Sequence, residues 1–524
     1  MGEYPISALL LLYDNGKLCL PEIQRDYVWN QAKVAKLIDS LYQDIPIGQM
    51  LFWKPTIIKH LKPLKGGRLK DPEIAIIDGQ QRLSSLYDVD QAIIPVVFNI
   101  NTEKFQIENK ATKANPKWVS VYEVWHTKNS YAFIENLSKK AGHNGGKMSD
   151  DERNELGNKI NEIIAIKKRE PAIHTIMDDD YEKITEIFIR INESGKKLQK
   201  SEIALAVGAL KFPGLLMKKL ADIQKKNQNW QTSRARRNSF FVNALATITT
   251  NTVKMSPFQE HLLQTTAKKI KDNLKELEIG IDYTYEFLET NFGINEKNNL
   301  KLIPNLTALL ALVNYRIRTH AQLPKKNSEL LTLWTFLAFY HSQYTGKAYR
   351  NLDLDIRSID PSNSLGTIKT WIKSIKDEFG QLQVDKIGNS MNSKSLFTVF
   401  FALKLNKAFD WWTGSSITAM SKTEYHHIFP KKVLEGKYSK IQINDPRNIA
   451  IVSEKMNRKI GAREPKDYFI DTKLIPDIDR VFSQFVPKKK ELWKVKNYEE
   501  FLDERGKMMK KKLNEFVSSQ EAKI

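Results

Sequence analysis

The order of apolar and polar positions divides the chain into three stretches of different character. Residues 1–205 alternate short apolar runs with three-four spacings, which predicts a mixed α/β fold. Lys17–Ile23 reads as a strand. Asn30 then stands where an N-cap belongs, and Val34, Leu37, Ile38 and Leu41 share one face of the helix it would start. Trp29 and Val34 occupy the two positions of a hydrophobic staple. Asp44-Ile-Pro-Ile-Gly48 ends that helix, and Met50–Lys54 predicts a second strand. Ile74–Ile77 is a continuous apolar run, expected as a buried strand, with a helix over Leu83–Val89 behind it. Ile93–Ile100 and Lys104–Ile107 form an expected hairpin. Residues 142–152 are polar and Gly-rich, a loop. From Tyr181 the helical period returns through Ile184, Ile187, Phe188 and Ile191, with Gly195 as its stop.

Residues 206–399 are dominated by helical patterns, strongest over Leu302–Tyr315 and Ser328–Tyr340, and their apolar stripes are expected to form a bundle core. Residues 400–524 change again to short strands, a His pair and a Lys-rich tail. The expectation is an α+β multidomain protein with parts at 1–205, 206–399 and 400–524.

Charge narrows the class of partner. The 524 residues carry 82 Lys and Arg against 61 Asp and Glu, a net +21, which favours a polyanion and nucleic acid before a membrane surface. With one cysteine, Cys19, no disulfide within the chain and no Cys-rich zinc site is possible. The longest apolar runs fall short of the ~18 residues a membrane span needs. Ala8–Tyr13 lacks a basic flank and a cleavage site, so no signal peptide is read and a cytoplasmic location is expected.

The sharpest chemistry lies in Glu424-Tyr-His-His-Ile-Phe-Pro430, where two of nine histidines are adjacent. Asn448 follows, and then Ser453, which can cap a short helix ended by Gly461. That puts Asn457 inside a helix, where Asn is unfavourable unless its side chain has a task. The chemistry these groups suit is phosphodiester hydrolysis, with one imidazole as general base and one divalent ion stabilising charge. An ion held by one His and one Asn leaves its other positions to water and phosphate, which suits Mg²⁺ or Mn²⁺ better than Zn²⁺. The plainer alternative is a surface His pair beside a Pro-bounded turn. This stretch resembles the HNH, or ββα-metal, nucleases. The resemblance implies that His427 is the general base, that His426 and Asn457 are metal ligands and that Asn448 braces the loop. The gap between the His pair and Asn448 is longer than in compact members, and Asn457 stands where many have His.

Asp78-Gly-Gln-Gln-Arg82 follows the buried strand and opens a helix, a place where backbone N–H groups and Arg82 could receive phosphate. Asp78 with Gln81 three residues on is equally a good capping box. Two further segments are Pro21-Glu-Ile-Gln-Arg-Asp-Tyr-Val-Trp29 and Phe188-Ile-Arg-Ile-Asn-Glu-Ser-Gly195. Together the three resemble the N-terminal domain of the GmrSD family of modification-dependent (type IV) restriction endonucleases, a ParB- and sulfiredoxin-like fold commonly joined to a C-terminal HNH domain. The resemblance implies that Asp78, Gly79, Gln80, Gln81 and Arg82 bind and hydrolyse a nucleoside triphosphate, with Asp78 and Arg82 catalytic. It also implies that Gln24, Arg25, Tyr27, Trp29, Arg190 and Asn192 line the same pocket. No Walker A pattern exists, so any hydrolysis would not use a P-loop.

Asp178–Asp180 precedes a helix and is expected to offset its dipole. Arg234-Ala-Arg-Arg237 could touch DNA phosphates or be a solvated face, and the tail over Lys488–Lys512 reads as a charged helix. The function expected is a nucleotide-regulated, divalent-metal-dependent endonuclease of anti-phage defence, acting on modified or foreign double-stranded DNA. A homodimer would suit cleavage of both strands. The alternatives are a ParB-like DNA-binding regulator or nucleotide sensor with an inactive HNH domain, and a nuclease directed at RNA.

Overall fold

The structure is a computed structural model and describes residues 4–22, 24, 27, 29–54, 61–141, 148–178, 180–194, 200–227, 234–294, 300–321, 325–345, 348–420 and 423–524. It has two compact units, Met1–Met217 and Lys218–Ile524. The second unit spans both most of the helical middle and the C-terminal stretch.

The first unit is built on a mixed five-stranded sheet of β1 (Leu18–Pro21), β2 (Met50–Trp53), β3 (Leu61–Pro63), β4 (Ile74–Asp78) and β8 (Ile173–Ile176), in the order β3-β1-β4-β2-β8. β1 runs parallel to β4, and β2 is antiparallel to β4 and parallel to β8. The apolar runs of the central strands are buried on both faces, which is why they lack polar alternation. Leu18, Leu20, Phe52, Ile74 and Ile76 enter one core, while Cys19, Leu51, Trp53, Ala75 and Ile77 enter the other. The helix Gln31–Tyr42 starts as expected, with Asn30 accepting the Lys33 N–H at 3.0 Å and Val34, Leu37, Ile38 and Leu41 buried. The expected hairpin forms between β5 (Val96–Asn99) and β6 (Phe105–Ile107), and β7 (Trp118–Ser120) adds a third antiparallel strand.

Three expectations shift. The polar stretch 142–152 is not loop throughout, because Ser149 and Glu152 form a capping box that starts the helix Asp150–Ala165; residues 142–147 lie outside the described residues, as does Gly195. The helix expected from Leu83 begins at Gln80. The pattern over Leu302–Tyr315 splits into a short turn, Leu300–Leu302, and the helix Thr307–Thr319, because Pro304 cannot sit in a helix interior.

The second unit stacks helices including Ala267–Phe292, Thr307–Thr319, Lys325–Tyr340, Ser364–Phe379 and Ser393–Leu405. Its C-terminal part holds a two-stranded antiparallel ribbon, β9 (Glu424–His427) and β10 (Ile449–Val452), followed directly by the helix Glu454–Ile460. Below it lies a core of Trp411, Phe429, Ile460, Tyr468, Trp493 and Phe501. The Lys-rich tail forms the helix Tyr498–Glu521, whose Phe501, Leu502, Met509, Leu513 and Val517 are buried. Among the described residues no helix is long and apolar enough to cross a membrane.

Candidate functional site

At the C-terminal ribbon the antiparallel register sets His427 opposite Ile449 and His426 opposite Ala450. The loop after β9 turns on Asn448, which is fully buried. Its Oδ1 accepts the Phe429 N–H at 2.9 Å and its Nδ2 donates to the Phe429 carbonyl at 3.0 Å. The Asn448 carbonyl accepts the Ile428 N–H at 2.8 Å, and the Tyr468 hydroxyl donates to the Ile428 carbonyl at 2.8 Å. The backbone just behind the His pair is therefore clamped from two sides.

The helix Glu454–Ile460 is capped by Ser453, whose side chain accepts the Met456 N–H, and Asp410 holds the Ser453 N–H at 2.7 Å. This aims Asn457 at the ribbon. Its Oδ1 lies 2.8 Å from His426 Nδ1. An amide oxygen only accepts, so Nδ1 carries the proton and Nε2 presents its lone pair. Burial pushes His426 down to about 4, against the opposing pull of Asn457 and with a further push from His427. Burial also lowers His427 to about 4, with Lys431 adding to it and the Asn444 amide opposing. Both imidazoles are thus neutral near pH 7. Both Nε2 atoms are buried without a hydrogen-bond partner among the described residues. An unmatched buried polar atom costs about 1–3 kcal/mol, so each of the two calls for a ligand.

These groups fit a divalent ion in one respect and modify the expectation in another. The His426 Nε2 lone pair is what a metal ligand needs. Asn457 bonds His426 directly and holds its ring, the place of a group that orients a ligand. Among the described residues no cluster of three His, Cys, Asp or Glu forms a metal site, so an ion here would rely on His426, water and phosphate. Residues not singled out from the sequence complete the site: Trp411, edge-on to His426 at 5.9 Å, Tyr468 at 6.1 Å, Asp410 and Asn444. Only the adjacent pair Trp411-Trp412 was a visible signal.

In the first unit, Gly79 joins β4 to its helix with φ +103°, and a Cβ there would meet Met50 Cγ at 2.8 Å. Gly79, not Asp78, takes the cap position, so the capping box does not form. Asp78 instead accepts from Arg82 Nη2 at 2.8 Å. The Arg82 fork also donates to the carbonyls of Ile47 (2.8 Å), Gly48 (2.7 Å) and Gln49 (2.9 Å). These four bonds match the four N–H donors of its two terminal nitrogens. Gln81 Oε1 accepts the Trp29 N–H at 3.1 Å, and Gln80 is buried. Gln24 is buried and donates to the Ile76 carbonyl at 3.2 Å and to that of Ile77. The Tyr27 hydroxyl meets Ser85 Oγ at 2.9 Å, and Lys65 Nζ lies 4.4 Å from its ring centroid while pairing with Asp88 at 2.6 Å.

The structure thus gathers Gln24, Tyr27, Trp29, Asp78, Gln80, Gln81 and Arg82 at the end of β4. Arg190 is exposed on its own helix and pairs with Glu186. Arg25 and the side chain of Asn192 lie outside the described residues, as do the side chains of Arg234, Arg236 and Arg237. Asp178 behaves as a dipole-offsetting residue, accepting the Asp180 N–H at 3.0 Å and pairing with Lys183.

Two comparisons bear on these sites. The chain is 23% identical to the uncharacterized protein MJ0686 of Methanocaldococcus jannaschii, in an alignment covering 86% of this chain and 84% of that protein. Residues 6–207, which contain the five-stranded sheet and Asp78–Arg82, match the family model described as the GmrSD restriction endonuclease, N-terminal domain.

Proposed function

We propose that the protein is a restriction-type DNA endonuclease of anti-phage defence, with phosphodiester hydrolysis at the ribbon β9–β10 and nucleotide control in the first unit. The observation that carries this reading is the pair of unmatched Nε2 atoms on adjacent His426 and His427, set by Asn457 and by the loop that Asn448 clamps. The family match over residues 6–207 supports the restriction role.

In this reading His427 is neutral near pH 7 and takes a proton from the attacking water. Asn448 keeps the turn after β9 fixed, so that His427 Nε2 holds its direction. His426, fixed as the Nδ1–H tautomer by Asn457, offers Nε2 to a Mg²⁺ or Mn²⁺ ion. Such an ion supplies stabilisation of charge on the scissile phosphate and leaving oxygen. In the first unit, Asp78, Gln80 and Gln81 are proposed to meet a nucleoside triphosphate, and Arg82 to hold the Ile47–Gln49 turn beside them.

The test is nicking of supercoiled plasmid, unmodified and modified, with Mg²⁺ or Mn²⁺ and with and without nucleoside triphosphate. His427→Ala is expected to abolish nicking and keep DNA binding. Unchanged nicking by that variant removes His427 from the chemistry. A second reading, a DNA-binding regulator with a silent nuclease site, is favoured by the burial of His426, only 4% exposed. A folded protein that binds DNA and makes no metal-dependent breaks establishes it.

A further inference from the structure

Trp411 and Trp412 are neighbours with different environments. Trp411 is fully buried and packs on His426, whereas Trp412 is half-buried and carries two cations on its ring. Lys455 Nζ lies 4.5 Å and Lys459 Nζ 3.8 Å from its centroid. Both lysines are exposed, stand one turn apart on the helix Glu454–Ile460, and make no ion pair among the described residues. Asn457, between them in sequence, is the residue that holds His426. Arg458, on the same helix, is neutralised by Glu454. The Trp412 carbonyl is anchored by Arg480 Nη1 at 2.6 Å, so the ring has a fixed support. Residues 431–463 carry nine Lys and Arg against three Asp and Glu.

Two ammonium groups gathered on one ring repel each other, and an anion between them adds an attraction to what water and salt already screen. Trp412 is covered by the lysine heads, which leaves it a holder of cations and not a surface for a base to stack on. We infer that Trp412, Lys455 and Lys459 form a shelf that grips a backbone phosphate of duplex DNA. The inference rests on the nuclease reading above and names its DNA contact. Lys455 and Lys459 stand on the face of the short helix away from Asn457, so a phosphate held there braces the duplex from the far side of the helix that orients His426. Lys455 and Lys459 are positioning residues.

The test is equilibrium binding of a short duplex to full-length His427→Ala protein over a range of salt. Adding Lys455→Gln and Lys459→Gln should lower the slope of log affinity against log salt by about 1, the value for one phosphate. The same two-charge change at exposed Lys268 and Lys271 should leave it near the parent value. In the nicking-competent chain the shelf variant should raise KM with kcat little changed, and Trp412→Leu should do so to a smaller extent. A slope equal to the parent's, or an equal fall in the Lys268/Lys271 control, overturns the shelf. If the slope falls as expected but the wild-type chain makes no nicks, the nuclease reading fails and the shelf stands as a DNA grip. If nicking depends on His427 but the slope does not move, the shelf alone fails.

Discussion

Asn448 shows how much a single buried amide can carry. It satisfies both the N–H and the carbonyl of Phe429, and replacing it with Ala leaves two buried backbone groups unmatched. At about 1–3 kcal/mol for each, Asn448→Ala should cost roughly 3 kcal/mol. Nicking should be lost along with a lowered melting temperature of the second unit; a full-activity variant would separate Asn448 from the site. Asp355 offers a test of a different kind. Burial raises its carboxyl to about 7, with the Tyr344 hydroxyl at 2.5 Å opposing and Glu378 adding. Unfolded, the same group titrates near 3.9. Between these values the folded chain keeps a proton that the unfolded chain has released. Stability from this group is therefore full below pH ~4 and is lost as pH rises towards 7, by up to about 4 kcal/mol. Asp355→Asn keeps an acceptor for Tyr344 and should flatten the melting temperature across that range. A slope unchanged from the parent would assign the pH dependence to other groups.

At the scale of elements, the turn Ile47–Gln49 and the β4–helix junction form one device held by Arg82. Lysine has a point charge on a flexible stem and cannot reproduce the four-bond fork. Arg82→Lys should therefore destabilise the first unit by about 2 kcal/mol and lower triphosphate turnover, even though charge is kept. Hydrogen exchange at residues 47–49 would register the loosened turn, and unchanged exchange would sink the clamp. This role was hidden in the sequence, because the partners of Arg82 are carbonyls more than thirty residues away. What depends on neighbours in sequence was legible: the Asn30 cap, the buried run Ile74–Ile77 and the helix that places Asn457. β8 was missed because Ile173-His-Thr-Ile176 is too short and mixed to show a period, and β2 recruits it from more than 100 residues away. The bond between His426 and Asn457 was likewise unreadable, since spacing shows that two residues meet but not which atoms do.

For the molecule as a whole, the excess of 82 basic over 61 acidic side chains sets how steeply the proposed DNA binding would depend on salt. Each phosphate neutralised releases a counterion, so affinity should fall steeply with salt. A chain touching 6–10 phosphates would lose about 10³–10⁵ between 50 and 200 mM. Only part of that loss belongs to the shelf on Trp412, since one phosphate accounts for about 1 of the slope. The two units add a separable prediction. Asp78 lies in Met1–Met217 and His427 in Lys218–Ile524, so chemistry in one has no residue in common with chemistry in the other. His427→Ala should leave triphosphate turnover at the wild-type rate, while Asp78→Ala should abolish turnover and change only the nucleotide dependence of nicking. Measuring both activities on both variants gives four results. Loss of turnover in His427→Ala would mean that the second unit takes part in nucleotide chemistry. Nicking by Asp78→Ala that responds to nucleotide as the wild type does would move the sensor away from the end of β4.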